Sequence, residues 1–348
     1  MSIELASVSK SFGSHKALNN VSLSVEEGMF FAVLGPSGCG KSTLLKSIAG
    51  LEPIGSGEIV LGGQPVAGKK LHVPPEQRRV GVVFQSYALW PHMSVAGNVA
   101  FPLETAGARK ATVTARVADC LETVALTPFG QRKPAELSGG QRQRVALARC
   151  LAQGANTVLM DEPLANLDPH LRSAMEEELS AFHRTSGATT LFITHDQREA
   201  MALADKIAVM WDGSILQSDD PDTLYRRPNS KRVAGFIGRG SMLSVEVEQV
   251  TGSRAIVVFA EKKIEVDCSA GACPGSGSLL VRPEHLVPVP EDAGFPAEVT
   301  RTVYRGGAWD VFVAVNGVVD PLMLTLHQKT KVGERLYLNI RQGWLLPS

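Results

Sequence analysis

One stretch, Gly35-Pro36-Ser37-Gly38-Cys39-Gly40-Lys41-Ser42, limits what this 348-residue chain can fold into more than any other. It fits G-x-x-x-x-G-K-[ST] at every fixed position. The apolar run Phe30 to Leu34 before it reads as a buried parallel strand, and Leu44, Leu45 and Ile48 after it fall at helical spacing. A strand, a glycine loop and a helix start are the context that a phosphate-binding loop requires. Glycines let the backbone curl so that successive amides point inward, and the helix N-terminus adds a partial positive charge. Lys41 can then reach the β- and γ-phosphates while the Ser42 hydroxyl ligates Mg²⁺. The loop is expected to hold a nucleoside triphosphate.

Lysine plus arginine and aspartate plus glutamate each total 35, so no overall basic field points to nucleic acid. The N-terminus, MSIELASVSK, lacks the apolar core of a signal peptide. Apolar runs such as Met29 to Leu34 are far shorter than the ~20 residues a membrane span needs. The five cysteines (Cys39, Cys120, Cys150, Cys268, Cys273) are scattered, and Cys268 and Cys273 have no second pair to complete a zinc site. Reduced thiols are expected, with Cys39, inside the loop, sensitive to alkylation.

Up to about Phe236 strand-like and helix-like segments alternate. Strands are expected at Ile3 to Val8, Met29 to Leu34, Val80 to Phe84, Thr157 to Met160, Thr189 to Ile193 and Lys206 to Trp211. Helices are expected at Lys41 to Gly50, Ala111 to Ala125, Gln141 to Ala152, His170 to Thr185 and Gln197 to Ala204. Such alternation predicts a parallel sheet covered by helices. After Gly235-Phe236-Ile237-Gly238 the texture changes to short β-rich pieces divided by glycine and proline turns, Asn316-Gly317 among them. A small β-barrel of roughly 105 residues is expected there.

A phosphate loop could serve a kinase, a GTPase or a helicase, so other residues must decide. Thr157 to Glu162 is an apolar strand ending in two carboxylates. Asp161 is placed to hold Mg²⁺, and Glu162 to polarise the water that attacks the γ-phosphate. Ser138 and Gln141, in Leu137-Ser138-Gly139-Gly140-Gln141, spell a capping box, which by itself predicts only a good helix start. A capped helix preceded by glycines is also a second anion site. One chain has little need of two γ-phosphate sites; a dimer has, if each subunit lends this helix end to its partner's nucleotide.

Taken together, these motifs resemble the nucleotide-binding subunits of ABC transporters, and residues 1–236 carry that family's motifs in family order. Gly35 to Thr43 matches the Walker A loop, Gln85 in "VVFQSYALWPHMSV" the Q-loop, Leu137 to Gln141 the signature, and Val158 to Glu162 Walker B. Ala165-Asn166-Leu167-Asp168 resembles the D-loop, with alanine where serine is usual, and His195 in "ITHDQREA" matches the H-loop. The resemblance implies ATP and Mg²⁺ as cofactors. It implies nucleotide contacts from Phe12, stacked on adenine, from Gly35, Pro36, Ser37, Gly38, Cys39, Gly40, Lys41, Ser42 and Thr43, and from Ser138, Gly139, Gly140 and Gln141. It further implies Mg²⁺ contacts from Ser42, Gln85 and Asp161, and catalysis by Glu162, His195 and Gln85.

The tail segments "LYRRPNSKRVAGFIG", "VRPEHL" and "VGERLYLNI" resemble importers of this family that carry a TOBE module, an OB-like barrel. The fold implied is α/β: a P-loop NTPase domain at 1–236 with a helical subdomain at about 88–152, a linker at 237–242, and an all-β barrel at 243–348. The function implied is a homodimeric ATPase on the cytoplasmic face of the cell membrane. It would drive uptake of a small solute (ferric iron, polyamine, phosphonate, sulfate or sugar) through a separate permease contacted near Gln85 to Asn98 and served by a solute-binding protein. The rival is a soluble ABC ATPase of DNA repair or translation. Repair members carry a long coiled coil between loop and signature, which this interval lacks, and no nucleic-acid partner is expected.

Overall fold

The computed structural model describes residues 1–347 apart from Asn166 and Asp168, so half of the D-loop expectation lies outside the described residues. The chain divides into two compact units, 1–221 and 222–348.

The first unit is built on a six-stranded sheet. In spatial order its strands are β11 (Ser214–Asp219), β10 (Lys206–Trp211), β3 (Phe30–Leu34), β9 (Thr189–Thr194), β8 (Thr157–Asp161) and β7 (Val80–Val83). All but β11 run parallel. Every residue of β3 and β9 is buried, as expected of a sheet covered on both faces. Beside this sheet lies a second one that the alternating pattern did not announce. Its order is β2 (His15–Val25), β1 (Ile3–Phe12), β4 (Ser56–Leu61), β5 (Gln64–Gly68) and β6 (Leu71–His72). The helix α1 (Lys41–Ala49) joins the two: its Leu44, Leu45 and Ile48 share one core with Ile3 and Leu23 of the antiparallel sheet and Phe31 and Leu191 of the parallel one.

The helices α2 (Val95–Thr105), α3 (Lys110–Thr123) and α4 (Gly139–Gln153) form a smaller core around Val99, Val117, Leu121 and Val145. Two more helices, α5 (Pro169–Ser186) and α6 (Gln197–Leu203), complete the cover of the parallel sheet. No helix among the described residues is long and apolar enough to cross a membrane.

The second unit begins with α7 (Pro221–Arg226) and α8 (Lys231–Phe236). A closed barrel follows, ordered β12 (Ser241–Thr251), β13 (Arg254–Phe259), β14 (Lys262–Cys268), β21 (Trp344–Leu345) and β15 (Gly275–Val281). A further five-stranded sheet runs β16 (Leu286–Pro288), β20 (Arg335–Ile340), β17 (Phe295–Tyr304), β18 (Trp309–Ala314) and β19 (Leu322–Leu326). The two share a core that includes Val257, Leu279, Val311 and Leu338. The unit's edge at 222 precedes the change of texture at 236 for a physical reason. Arg282, almost wholly buried, donates to the Tyr225 carbonyl from Nε (3.1 Å) and Nη2 (2.6 Å) and stacks on the Tyr225 ring, while Trp344 Nε1 donates to the Pro228 carbonyl (2.9 Å).

Candidate active site

Parallel register sets the site. Leu34 lies opposite Thr194, Ile193 opposite Asp161, and Met160 opposite Val83. The residues that follow β3, β9, β8 and β7 therefore emerge along one edge, the carboxyl ends of the strands, where open α/β sheets bind ligands. Those residues are Gly35, His195, Glu162 and Gln85.

The loop after β3 is a cradle that only glycine can form. A Cβ at Gly35 would lie 2.2 Å from the Met210 carbonyl oxygen. At Gly40, which has φ +108°, it would lie 2.2 Å from the Ala17 carbonyl oxygen. Gly40 is also the N-cap of α1 and supplies no side-chain acceptor, so the first amides of that helix meet no capping oxygen. The turn Asp212-Gly213, both residues at positive φ, closes the β10–β11 hairpin and donates Gly213 N–H to the Cys39 carbonyl (2.9 Å). Lys41 is 5% exposed, and its Nζ donates to the Gly35 (2.8 Å) and Pro36 (3.0 Å) carbonyls. Cys39 faces inward: burial pushes its thiol up, with Lys41 opposing, which works against the thiolate needed for the alkylation expected from its position.

At the end of β8, Asp161 Oδ1 accepts from the Ser42 hydroxyl at 3.0 Å, joining the start of α1 to the carboxylate strand. Burial raises the Asp161 carboxyl above the usual carboxylate range and the charge of Glu162 adds to the rise, while the Ser42 hydrogen bond opposes it. Glu162 adopts φ +45°, a left-handed conformation costly for a residue with a side chain, while its N–H donates to Ile193 O at 3.0 Å. This twist brings Glu162 Oε2 within 3.2 Å of His195 Nδ1. A cavity of about 260 Å³ is lined by Phe12, Ser37, Lys41, Ser42, Thr43 and Glu162 among others. Phe12 stands 47% exposed at its mouth, with Lys10 Nζ 4.9 Å from the ring centre.

Not every expected contributor lines this cavity: Asp161 and His195 reach its lining through Ser42 and Glu162. Gln85 is exposed in the turn after β7 and does not line it. Nor do Ser138, Gly139, Gly140 and Gln141, which start α4. There the capping box forms as read: Gln141 N–H donates to Ser138 Oγ (3.3 Å) and Ser138 N–H to Gln141 Oε1 (2.9 Å).

Three arginines outside the motifs support the site. Arg78, 3% exposed, donates to the Ser47 (2.7 Å) and Ile48 (2.9 Å) carbonyls at the end of α1 and to Val73 and Val66. Burial lowers it to about 10. Arg149 of α4 holds the turn after β7, donating to Ala88 O (2.7 Å) and Tyr87 O (3.1 Å), two consecutive residues at positive φ. Arg172 joins α5 to the residues flanking His195. The partners of Arg78 and Arg172 leave no pattern in the sequence; only Arg149, alone among the apolar residues of Val145 to Ala152, stands out.

Residues 18–165 match the model of the ABC transporter family, and residues 279–346 that of the TOBE domain. The chain is 48% identical over 286 residues to the spermidine/putrescine import ATP-binding protein PotA of Pseudomonas aeruginosa (strain UCBPP-PA14), spanning 82% of this chain and 78% of that protein. It is 42% identical over 325 residues to the Fe(3+) ions import ATP-binding protein FbpC 1 of Rhizobium meliloti (strain 1021), spanning 92% and 91%. Among solved structures it is similar to the ATP-binding cassette MJ0796 in a dimeric post-hydrolysis state bound to ADP and Pi. That match has a TM-score of 0.56 at 32% identity and covers 63% of this chain and 98% of that one.

Proposed function

The chain belongs to the import ATP-binding subunits of ABC transporters, ATPases coupled to transport, and from that premise we propose how its residues divide the work. The observation that carries the reading is the meeting of two contacts at one sheet edge, Ser42 with Asp161 and Glu162 with His195, beneath the glycine cradle. ATP lies with its phosphates on the α1 amides and Lys41 and its adenine against Phe12. Ser42 Oγ and Asp161 Oδ1, hard oxygens already 3.0 Å apart, fit Mg²⁺, which asks for one or two protein oxygens beside those of the phosphates and water. Gln85, exposed in the turn after β7, would be a further oxygen ligand to that ion. Bound there, Mg²⁺ neutralises charge on the β- and γ-phosphate oxygens. Glu162 takes the proton of the attacking water, and His195 holds Glu162 and contacts the γ-phosphate.

Ser138, exposed at the start of α4, supports a homodimer in which Ser138, Gly139, Gly140 and Gln141 of one protomer cover the ATP of the other. A groove of about 850 Å³ lined by Phe84, Ala88, Trp90, Phe101 and Arg149 supports docking of a permease along Gln85 to Asn98, at the cytoplasmic membrane face. Asn98 shapes this stretch, accepting from Trp90 N–H (2.7 Å) and donating to Trp90 O (3.1 Å). The named relatives support a cationic cargo, polyamine or ferric iron, which a solute-binding protein would deliver to the permease.

The test is Glu162→Gln. The variant is expected to bind ATP, to lose hydrolysis by about 100-fold or more, and to run as a closed dimer on gel filtration in ATP. A variant that remained monomeric at saturating ATP would sink the shared-site reading.

A further inference from the structure

The residues on either side of His195 are clamped by a single guanidinium. Thr194 Oγ1 donates to Glu199 and accepts from Asp196 N–H at 3.0 Å. Asp196 Oδ1 accepts from Arg198 N–H (2.8 Å), and its Oδ2 accepts from Arg172 Nη1 (3.0 Å). Arg172 Nε lies 3.6 Å from Oε1 of Glu199, which is 3% exposed. The third arm of the fork, Nη2, donates to the Leu167 carbonyl at 3.3 Å. One planar cation thus holds the segment after β8, the helix α5 and both neighbours of His195.

That same segment rests on the start of α4. A Cβ at Gly139 would sit 3.3 Å from Leu167 Cδ2, and one at Gly140 would sit 3.0 Å from Met175 Sδ. Only glycine at these positions lets the start of α4 lie so near Leu167 and Met175, and Arg144 of α4 pairs with Glu178 of α5 at 3.1 Å, so the two helices are packed together and shift as a unit. A shift of the Ser138 end therefore moves Leu167 and α5, and the Arg172 fork carries the shift to Thr194 and Asp196.

We infer that Arg172 is a positioning residue: it fixes His195 against Glu162 and makes that placement depend on where the protomer's own α4 N-terminus lies. In the dimer of the preceding section, on which this inference rests, the α4 end touches the partner's ATP. Each protomer then reads occupancy of the partner's site through Arg172 and answers at its own His195.

Arg172 also neutralises the buried Glu199, so a purely structural role must be separated from positioning. Lysine keeps the charge beside Glu199, whose contact with Arg172 Nε at 3.6 Å is an ion pair without a hydrogen bond, but cannot make the two fork bonds to Asp196 and the Leu167 carbonyl at once. The purified full chain is compared with Arg172→Ala and Arg172→Lys by ATPase kinetics, thermal unfolding and the His195 Cε1–H NMR signal, assigned by its loss in His195→Ala. In Arg172→Lys, unfolding is expected to stay near wild type. Its kcat should fall by roughly 2- to 30-fold, the range for residues that couple sites without touching ligand. KM for ATP should change less than about twofold, the Hill coefficient should drop toward one, and the His195 signal should shift or broaden. Arg172→Ala should do the same more strongly. A folded Arg172→Lys with wild-type kcat, Hill coefficient and His195 signal overturns the proposal. So does a loss of kcat that only tracks the fraction unfolded. If the wild-type chain hydrolyses no ATP, the reading under Proposed function fails, and the His195 signal in the variants still decides whether the clamp exists.

Discussion

The helices that start at Lys41 and at Gly139 are both proposed to bring amides to a phosphate, yet their ends are finished in opposite ways. Helix α1 is preceded by Gly40, which caps nothing with a side chain, and the cradle is walled by the Ala17 and Met210 carbonyls. Its donors stay free for a ligand because surrounding structure, rather than local capping, holds the loop in shape. Helix α4 satisfies itself: Ser138 and Gln141 exchange hydrogen bonds, and Ser138 faces solvent. A self-capped, exposed helix end keeps its shape without a ligand and has few donors left, so it contributes most when brought onto a phosphate held elsewhere. On the proposed function the first end is a site and the second is half of one.

The sharpest way to break this contrast is to add one methyl to each class of glycine. Gly40→Ala must place a Cβ at φ +108° and 2.2 Å from the Ala17 carbonyl oxygen. It is expected to abolish measurable ATP binding by calorimetry and to cost about 2–5 kcal/mol in urea unfolding. Gly13→Ala, at φ +58° with open space around its Cβ, is the control, and should cost about 1 kcal/mol with binding kept. Equal losses in both would mean that the cradle tolerates strain and that its walls are not what shape it.

Substitution at the other end should separate binding from hydrolysis. Ser138→Arg puts a long cation on the exposed helix start and removes the cap, worth about 1 kcal/mol. ATP affinity is expected to stay within about twofold, since the residue does not line the α1 cavity. Hydrolysis should fall by about 100-fold or more, as when a preorganised donor is lost from a reacting phosphate. Loss of ATP binding by the isolated chain would place Ser138 in its own site and end the half-site description.

How much of this was legible in advance depended on sequence range. The cradle, the paired carboxylates and the capping box each lie within a few consecutive residues, so spacing alone announces them. The strands β3, β7, β8, β9 and β10 were legible because sheets covered on both faces read as apolar runs. Of the antiparallel sheet, only β1 was expected, at Ile3 to Val8; in β2 polar Asn19, Asn20, Ser22 and Ser24 break up the apolar run, and β6 has two residues. Helix α2 hides behind Gly97 and Pro102, which oppose helix by propensity and are overridden by packing of Val95 and Val99. Arg78 reaches carbonyls 30 and 31 residues away, and the left-handed turn of Glu162 depends on Ile193 across the sheet. Neither leaves a local trace.

The smallest expected effect concerns stability and tests whether the α1 site is built for its ligand at the expense of the empty chain. Asp161 is pushed up chiefly by burial, with Glu162 adding and Ser42 opposing. A carboxyl whose folded-state value lies above its unfolded value binds its proton more readily when folded. Its stabilising contribution is therefore complete below the ordinary carboxylate range and is lost as pH rises through the shifted value. At neutral pH the ionised Asp161 is a net burden on the ligand-free fold. Asp161→Asn keeps an oxygen that can accept from the Ser42 hydroxyl and removes the charge. Scanning calorimetry without nucleotide should find its midpoint a few degrees above wild type at pH 7, as stabilising changes at strained sites commonly do. The gap should shrink toward zero as the pH falls into the carboxylate range, while hydrolysis in the variant is lost. A midpoint below wild type at pH 7 would mean that the Ser42 bond to a charged oxygen outweighs the burial of that charge. The α1 end would then be as self-satisfied as α4, and the contrast between the two helix starts would rest on the glycines alone.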